Sequence, residues 1–151
     1  MRSGAAVELM TVVTRSERGT LGFARKLARS FKGKEVVFLE GELGAGKTVF
    51  AKGIASGLGM KDTRRVCSPT FTIMNIYRAR FPIFHFDLYR LEKSSDILDL
   101  GWEDYLEKGV VLVEWAERID FDYPAIRVLI KKGRGDERRL TVVRPGGPAG
   151  A

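Results

Sequence analysis

Eight consecutive residues, Gly41-Glu42-Leu43-Gly44-Ala45-Gly46-Lys47-Thr48, match the full GxxxxGK[ST] spacing of a phosphate-binding loop. Backbone N–H groups in such a loop turn inward and form a concavity for anions. Glycine is needed wherever a Cβ would block the backbone's approach to phosphate. Lys47 is then placed to bridge β- and γ-phosphates as a point charge, and the Thr48 hydroxyl to ligate Mg²⁺. Glu42, Leu43, Gly44, Ala45 and Gly46 supply the cradle. Such chemistry also needs a carboxylate for the metal shell, normally at the end of an apolar strand. Two segments offer one: Ile83-Phe84-His85-Phe86-Asp87 and Val110-Val111-Leu112-Val113-Glu114. Strand alternation puts His85 and Asp87 on one face, so His85 either orients Asp87 or fills a core position with its ring hydrogen-bonded.

The elements that must position these groups are legible from periodicity. Val7 to Val13 mixes apolar and polar residues like a strand. Ser16 is placed to cap a helix in which Leu21, Ala24, Leu27, Ala28 and Phe31 recur at helical spacing, with Gly33 as its stop. Val36 to Glu40 is a short apolar strand feeding the glycine-rich turn, and Phe50, Ala51, Ile54 and Leu58 form the next helical face. Phe71 to Arg80 and Phe81 to Leu88 read as a hairpin turning before Pro82. Ser94 to Lys108 reads as one or two short acidic helices broken near Gly101, and Val110 to Glu114 as a buried strand. Ile126 to Lys131 pairs with Arg139 to Val143 across a turn at 132–138. The expected architecture is α/β: one P-loop NTPase-like domain over 1–144, with a central mostly parallel sheet, helices on both faces and antiparallel hairpin strands at the edge. Residues 145–151 are expected to be a disordered tail.

Composition narrows the class. The chain has 151 residues, 44% hydrophobic and 30% charged, which is globular composition. Its single cysteine, Cys67, excludes an internal disulfide; with no metal-ligand company it reads as a small buried residue in a reducing compartment. Glu8 interrupts the one stretch resembling a secretory signal, Gly4 to Val13, and no apolar run approaches the roughly 20 residues of a spanning helix, so a cytoplasmic location is expected. Charge is polarised: 16 basic and 7 acidic residues over 1–91, 3 and 10 over 92–122, 7 and 2 over 123–151. The basic parts suit anionic ligands and the acidic stretch a basic protein surface, or both are solvated faces.

Four ordered motifs, GELGAGKT at 41–48, Ser68-Pro69-Thr70-Phe71, His85-Phe86-Asp87-Leu88-Tyr89-Arg90 and Glu114-Trp115-Ala116-Glu117-Arg118, together resemble the TsaE (YjeE) family over about residues 8–143. That family comprises small bacterial P-loop ATPases needed to make threonylcarbamoyladenosine in tRNA. The resemblance implies ATP or ADP as ligand, with Lys47 and Thr48 on phosphate and Mg²⁺. Asp87 falls in the Mg²⁺ shell, and Glu114 positions the metal or the attacking water. It makes 68–70 a switch segment whose Thr70 reports on the γ-phosphate, and sets Trp115 near the nucleotide, although a buried core Trp reads equally well from sequence. Tyr89 and Arg90 are left between nucleotide, partner and neighbouring strand. Ala116, where the family often has Pro, is the main departure. The implied partners are TsaD and its companion TsaB, met through the switch region or the acidic 92–122 stretch. ATP hydrolysis resets their complex, tRNA is met only through it, and the isolated chain is a monomer.

Two rival readings differ in class. A small P-loop kinase would need an acceptor pocket and an Arg-bearing lid, for which no insertion is visible. A nucleic-acid module could use Arg127, Lys131, Lys132, Arg134, Arg138, Arg139 and Arg144, but no aromatic residues interleave them for stacking. An edge hairpin guarded by charge is the favoured reading of that segment.

Overall fold

The computed structural model describes residues 8–69, 74–89, 98, 100–119 and 122–145. Seven strands, β1 (Glu8–Thr14), β2 (Val36–Glu40), β3 (Met74–Tyr77), β4 (Ile83–Asp87), β5 (Val110–Glu114), β6 (Ile126–Lys132) and β7 (Arg138–Arg144), form one sheet in the order β1-β7-β6-β2-β5-β4-β3. The three central pairings, β6 with β2, β2 with β5 and β5 with β4, are parallel. The three outer ones are antiparallel. Parallel pairing is thus confined to the middle, where β2 and β5 are apolar along nearly their whole length because both faces are covered.

Among the described residues, the α-helices α1 (Glu17–Ala28) and α2 (Lys47–Gly57) both pack on one face, over Val37, Leu39, Leu112 and Val128. The opposite face, with Phe38, Phe86, Val111 and Val113, is covered among the described residues by single 3₁₀ turns at Trp102–Tyr105 and Ala116–Arg118 and by the loop at Tyr123. Helices on both faces were expected. The acidic helix expected from Ser94 falls mostly outside the described residues, and beyond Gly101, which adopts a left-handed φ of 71°, the chain makes one 3₁₀ turn before Leu106 extends.

Ser16 caps α1 as its sequence implies, its Oγ accepting from Gly19 N at 2.9 Å. The helix stops earlier than Gly33, however. The capping N–H of Arg29 bonds back to Leu27 and Lys26 carbonyls, and Gly33 lies in the turn that follows. There the Glu35 carboxylate accepts from Lys32, Gly33 and Lys34 N–H groups, an organising contact that propensity alone does not reveal. Close approach of α1 and α2 depends on Gly53, where an added Cβ would lie 2.5 Å from both Ala24 Cβ and Leu21 O.

The β3–β4 hairpin turns through 78–82, although the part of its first strand expected over 71–73 lies outside the described residues, as does the tail from 146. The β6–β7 hairpin forms as expected, with Lys132 and Arg138 of the expected turn also paired, but it is not at the edge. β1 pairs with β7 along its whole length and takes that place itself, so charge on the hairpin is not needed to guard an open strand. No helix of the described residues is long and apolar enough to cross a membrane.

Candidate functional site

The C-terminal ends of the parallel strands β2, β5 and β4 lie side by side, with Leu39 opposite Glu114 and Glu114 opposite Asp87. Ligands of open α/β sheets bind beyond such ends. Here β2 runs directly into the loop 41–46, which delivers the N-terminus of α2 back over the strand ends. Gly44 (φ 78°) and Gly46 (φ 114°) take left-handed conformations that residues with a Cβ adopt at a cost. Gly46 caps α2 with no side-chain bond, so the helix's leading N–H groups are offered to the loop's concavity.

Lys47, 5% exposed, donates from Nζ to the carbonyls of Gly41 (2.5 Å) and Glu42 (3.0 Å) and lies 4.0 Å from the centre of the Trp115 ring. Burial pushes its ammonium below the ordinary lysine range, against the pull of Glu114, Glu117, Asp87 and Glu42. Trp115 follows β5 with a left-handed φ of 60°, a strained backbone for a residue with a large side chain. That geometry brings its half-buried indole to the cleft, tilted against the Tyr89 ring at 5.0 Å, with its inner side packed on the core beneath.

Beside the lysine, hydroxyls and a carboxylate converge. Thr48 Oγ1 lies 2.8 Å from Ser68 Oγ and 3.2 Å from Glu114 Oε2, and Ser68 Oγ lies 3.4 Å from both Glu114 oxygens. Glu114 is 2% exposed, and its Oε2 is 2.6 Å from His85 Nε2. Asp87 lies on the same strand face as His85, its Oδ1 accepting from Tyr89 N at 2.9 Å. Burial, with the nearby Glu114 charge, raises its carboxyl above the usual range despite the opposing Tyr89 N–H, His85 and Lys47. These groups line a cleft of about 380 Å³. A larger groove of about 860 Å³ beside β3 lacks this convergence, so chemistry and not volume selects the site. The donors of the cleft are all oxygen, which fits a hard cation such as Mg²⁺ that keeps waters and shares substrate phosphates. Among the described residues, no three His, Cys, Asp or Glu side chains form a metal-binding group by themselves.

The family model described as "Threonylcarbamoyl adenosine biosynthesis protein TsaE" matches residues 14–140. The chain belongs to the TsaE family. A TsaE from Bacillus subtilis strain 168 is 44% identical over 131 residues, covering 84% of this chain and 80% of that one. Another, from Treponema pallidum strain Nichols, is 38% identical over 122 residues, covering 80% and 89%. Both are named tRNA threonylcarbamoyladenosine biosynthesis proteins. The crystal structure of Bacillus subtilis YdiB superposes with a TM-score of 0.74 at 34% identity, covering 92% of this chain and 87% of that one.

Of the residues picked from sequence on the TsaE pattern, Gly44, Gly46, Lys47, Thr48, Asp87, Glu114 and Trp115 meet in one cleft. Leu43 also lines it, largely exposed, while Glu42 contributes a carbonyl and Ala45 is buried beneath the loop. Thr70, Arg90 and the beginning of the acidic stretch suspected of meeting partners lie outside the described residues. One reading is settled and another changes. Of the two readings of His85, the buried ring with its nitrogens hydrogen-bonded is the one found, and the carboxylate it engages is Glu114 on the neighbouring strand and not Asp87. Cys67 is exposed and not buried: its backbone is the anchored part, its N–H donating to the Tyr77 hydroxyl oxygen and its carbonyl accepting from Asn75 Nδ2, while the side chain is outside.

Three further residues act on the site without a sequence signal strong enough to mark them. Ser68 lay within a quoted motif but with no assigned partner. Tyr77 joins His85 Nδ1 at 2.8 Å. Arg138, at the start of β7, donates from Nε to Ala45 O at 2.9 Å and so ties the phosphate loop to the far side of the sheet.

Proposed function

We propose that this protein binds ATP with Mg²⁺, hydrolyses it, and serves threonylcarbamoyladenosine modification of tRNA by resetting a TsaD–TsaB transferase complex between turnovers. The observation that carries the reading is the meeting of Lys47, the Thr48–Ser68–Glu114 oxygens and Asp87 at the N-terminus of α2. The loop's N–H groups and the helix end receive phosphate, and Lys47 turns its ammonium to phosphate oxygens in place of the loop carbonyls. Thr48, Asp87 and Glu114 would hold Mg²⁺, which when bound neutralises charge between the β- and γ-phosphates. Glu114, held rigidly and nearly dry, orients the attacking water, and Trp115 shields the lysine side of the cleft. Ser68 contacts Glu114 and its neighbour Cys67 contacts Tyr77 on β3, so nucleotide state is readable at the surface as the shape of 66–69. Membership of a family named for tRNA threonylcarbamoyladenosine biosynthesis supports the pathway. A cytoplasmic location follows from that role.

The test is Mg²⁺-dependent ATP hydrolysis by the purified protein, alone and with the TsaD–TsaB complex from the same source. Slow turnover that rises with the complex and disappears in Lys47→Ala is expected. Loss of the charged lysine contact should weaken triphosphate binding by about tenfold to a hundredfold. Turnover indifferent to the complex would remove the reset role, and a labelled metabolite appearing in place of free phosphate would make the protein a kinase.

A further inference from the structure

His85 is fully buried on the fourth strand, yet both of its ring nitrogens are engaged: Nε2 with Glu114 Oε2 at 2.6 Å and Nδ1 with the Tyr77 hydroxyl at 2.8 Å. A carboxylate only accepts, so Nε2 carries the hydrogen, and in the neutral ring Nδ1 then accepts from Tyr77. The single hydroxyl hydrogen of Tyr77 has Cys67 O within reach as well, at 3.0 Å. Asn75 Nδ2 also donates to that carbonyl, at 3.2 Å, so it stays satisfied when Tyr77 serves the ring. An aliphatic side chain at 85 would fill the same space at no polar cost. It would, however, leave the buried Glu114 carboxylate only the hydroxyls of Thr48 and Ser68, at 3.2–3.4 Å.

We propose that His85 is the positioning residue of the nucleotide cleft: its Nε2–H engages Glu114 Oε2 and fixes the carboxylate so that both of its oxygens stay beside the Thr48 and Ser68 hydroxyls, with Tyr77 setting the ring's tautomer. The chain Glu114–His85–Tyr77–Cys67 crosses three adjacent strands and closes where the Cys67 N–H donates to the Tyr77 oxygen at 3.3 Å, next to Ser68, so the carboxylate and the 66–69 segment are held as one unit. Phe84 and Phe86, which flank His85 in sequence, face the other side of the sheet and take no part. This inference rests on the cleft being a Mg²⁺–nucleotide site.

The experiment compares His85→Gln with His85→Asn. A glutamine amide reaches about the depth of Nε2 and can still donate to Glu114; an asparagine amide reaches only that of Nδ1 and can bond Tyr77 alone. Binding of mant-ATP is measured by fluorescence with EDTA and with Mg²⁺, and thermal unfolding is followed in parallel. Metal-free binding, which draws on the loop and Lys47, should stay within about twofold of wild type in both variants. The strengthening brought by Mg²⁺ should fall about tenfold in His85→Asn and about threefold or less in His85→Gln. Full Mg²⁺ strengthening in His85→Asn, or equal loss in both variants, overturns the proposal. If neither variant folds, Tyr77→Phe carries the test: strengthening reduced at least threefold supports the relay, and unchanged strengthening overturns it. A wild-type protein that gains nothing from Mg²⁺ would instead bring down the nucleotide reading itself.

Discussion

Replacing Gly53 by Ala tests how tightly the helix bearing Lys47 and Thr48 is held. An alanine Cβ at this position would lie 2.5 Å from Ala24 Cβ and 2.5 Å from Leu21 O, and 3.3 Å from Arg25 N. All three atoms belong to α1 and none is the free end of a flexible side chain, so one helix must move away from the other. The steric cost belongs at the upper end of overpacking, about 3 kcal/mol. Against it stands the higher helix propensity of alanine, about 1 kcal/mol. The net loss is therefore about 2 kcal/mol, or roughly 4–8 °C in Tm for a chain of this size. Gly22→Ala makes the same chemical change on α1 where nothing lies within 4 Å. It should stabilise by about 0.5–1 kcal/mol. Urea unfolding of both variants, followed by circular dichroism, decides the matter. A Gly53→Ala protein as stable as wild type, or one that gains in step with Gly22→Ala, would refute the close helix approach. Because α2 begins at Lys47, weaker nucleotide binding should accompany the lost stability.

Asp87→Asn should weaken Mg²⁺-dependent binding while stabilising the fold. The wild-type carboxyl is raised above 3.8 when folded, so its ionisation favours the unfolded chain and lowers stability as pH climbs past that value. The asparagine variant should match wild type least favourably below about pH 3.8 and gain on it towards neutrality; denaturant midpoints that keep a constant difference across this range would contradict the burial of Asp87. Arg138→Ala removes the guanidinium bond to Ala45 O and should cost about 1.5–3 kcal/mol of phosphate-loop order, read as nucleotide affinity reduced tenfold or more with the sheet intact. Unchanged affinity in that variant would show that the loop holds its shape unaided.

The sequence carries the strand, glycine-rich turn and helix almost residue for residue, because a fully apolar strand, obligatory glycines and helical periodicity are all local signals. The two carboxylates at strand ends were equally readable, since their position depends only on where an apolar run stops. What could not be read depends on strand order. His85 meets Glu114 because β4 and β5 lie in parallel register, and no pattern within either strand reveals its neighbour. Arg138 and Ala45 are 93 positions apart in the chain, and only the placement of β7 brings them together. Local competition explains the misplaced helix stop. Gly33 has the composition of a stop, but the Glu35 carboxylate organises a separate turn there, after the helix has already ended at Ala28. Cys67 misled for a similar reason: small apolar residues are usually interior, but here the backbone is the anchored part and the thiol is outside.

The full-length pairing of β1 with β7 has a consequence for biosynthesis. As the chain leaves the ribosome from its N-terminus, the phosphate loop, Thr48, Asp87 and Glu114 are all made before residue 126. At that stage β2 lacks β6 as its neighbour, and β1, the first strand synthesised, has none of its sheet contacts. The nascent protein therefore carries the chemical groups of its cleft for some time without the frame that orders them. Its edge backbone must be kept from pairing elsewhere until the last strand emerges. Arrival of β7 closes the frame in one step, recruiting β1 and bringing Arg138 to the loop together. A message cut short before this strand would yield a chain with every residue of the nucleotide cleft but without the Arg138 tie to the phosphate loop and without the strand that seats β1.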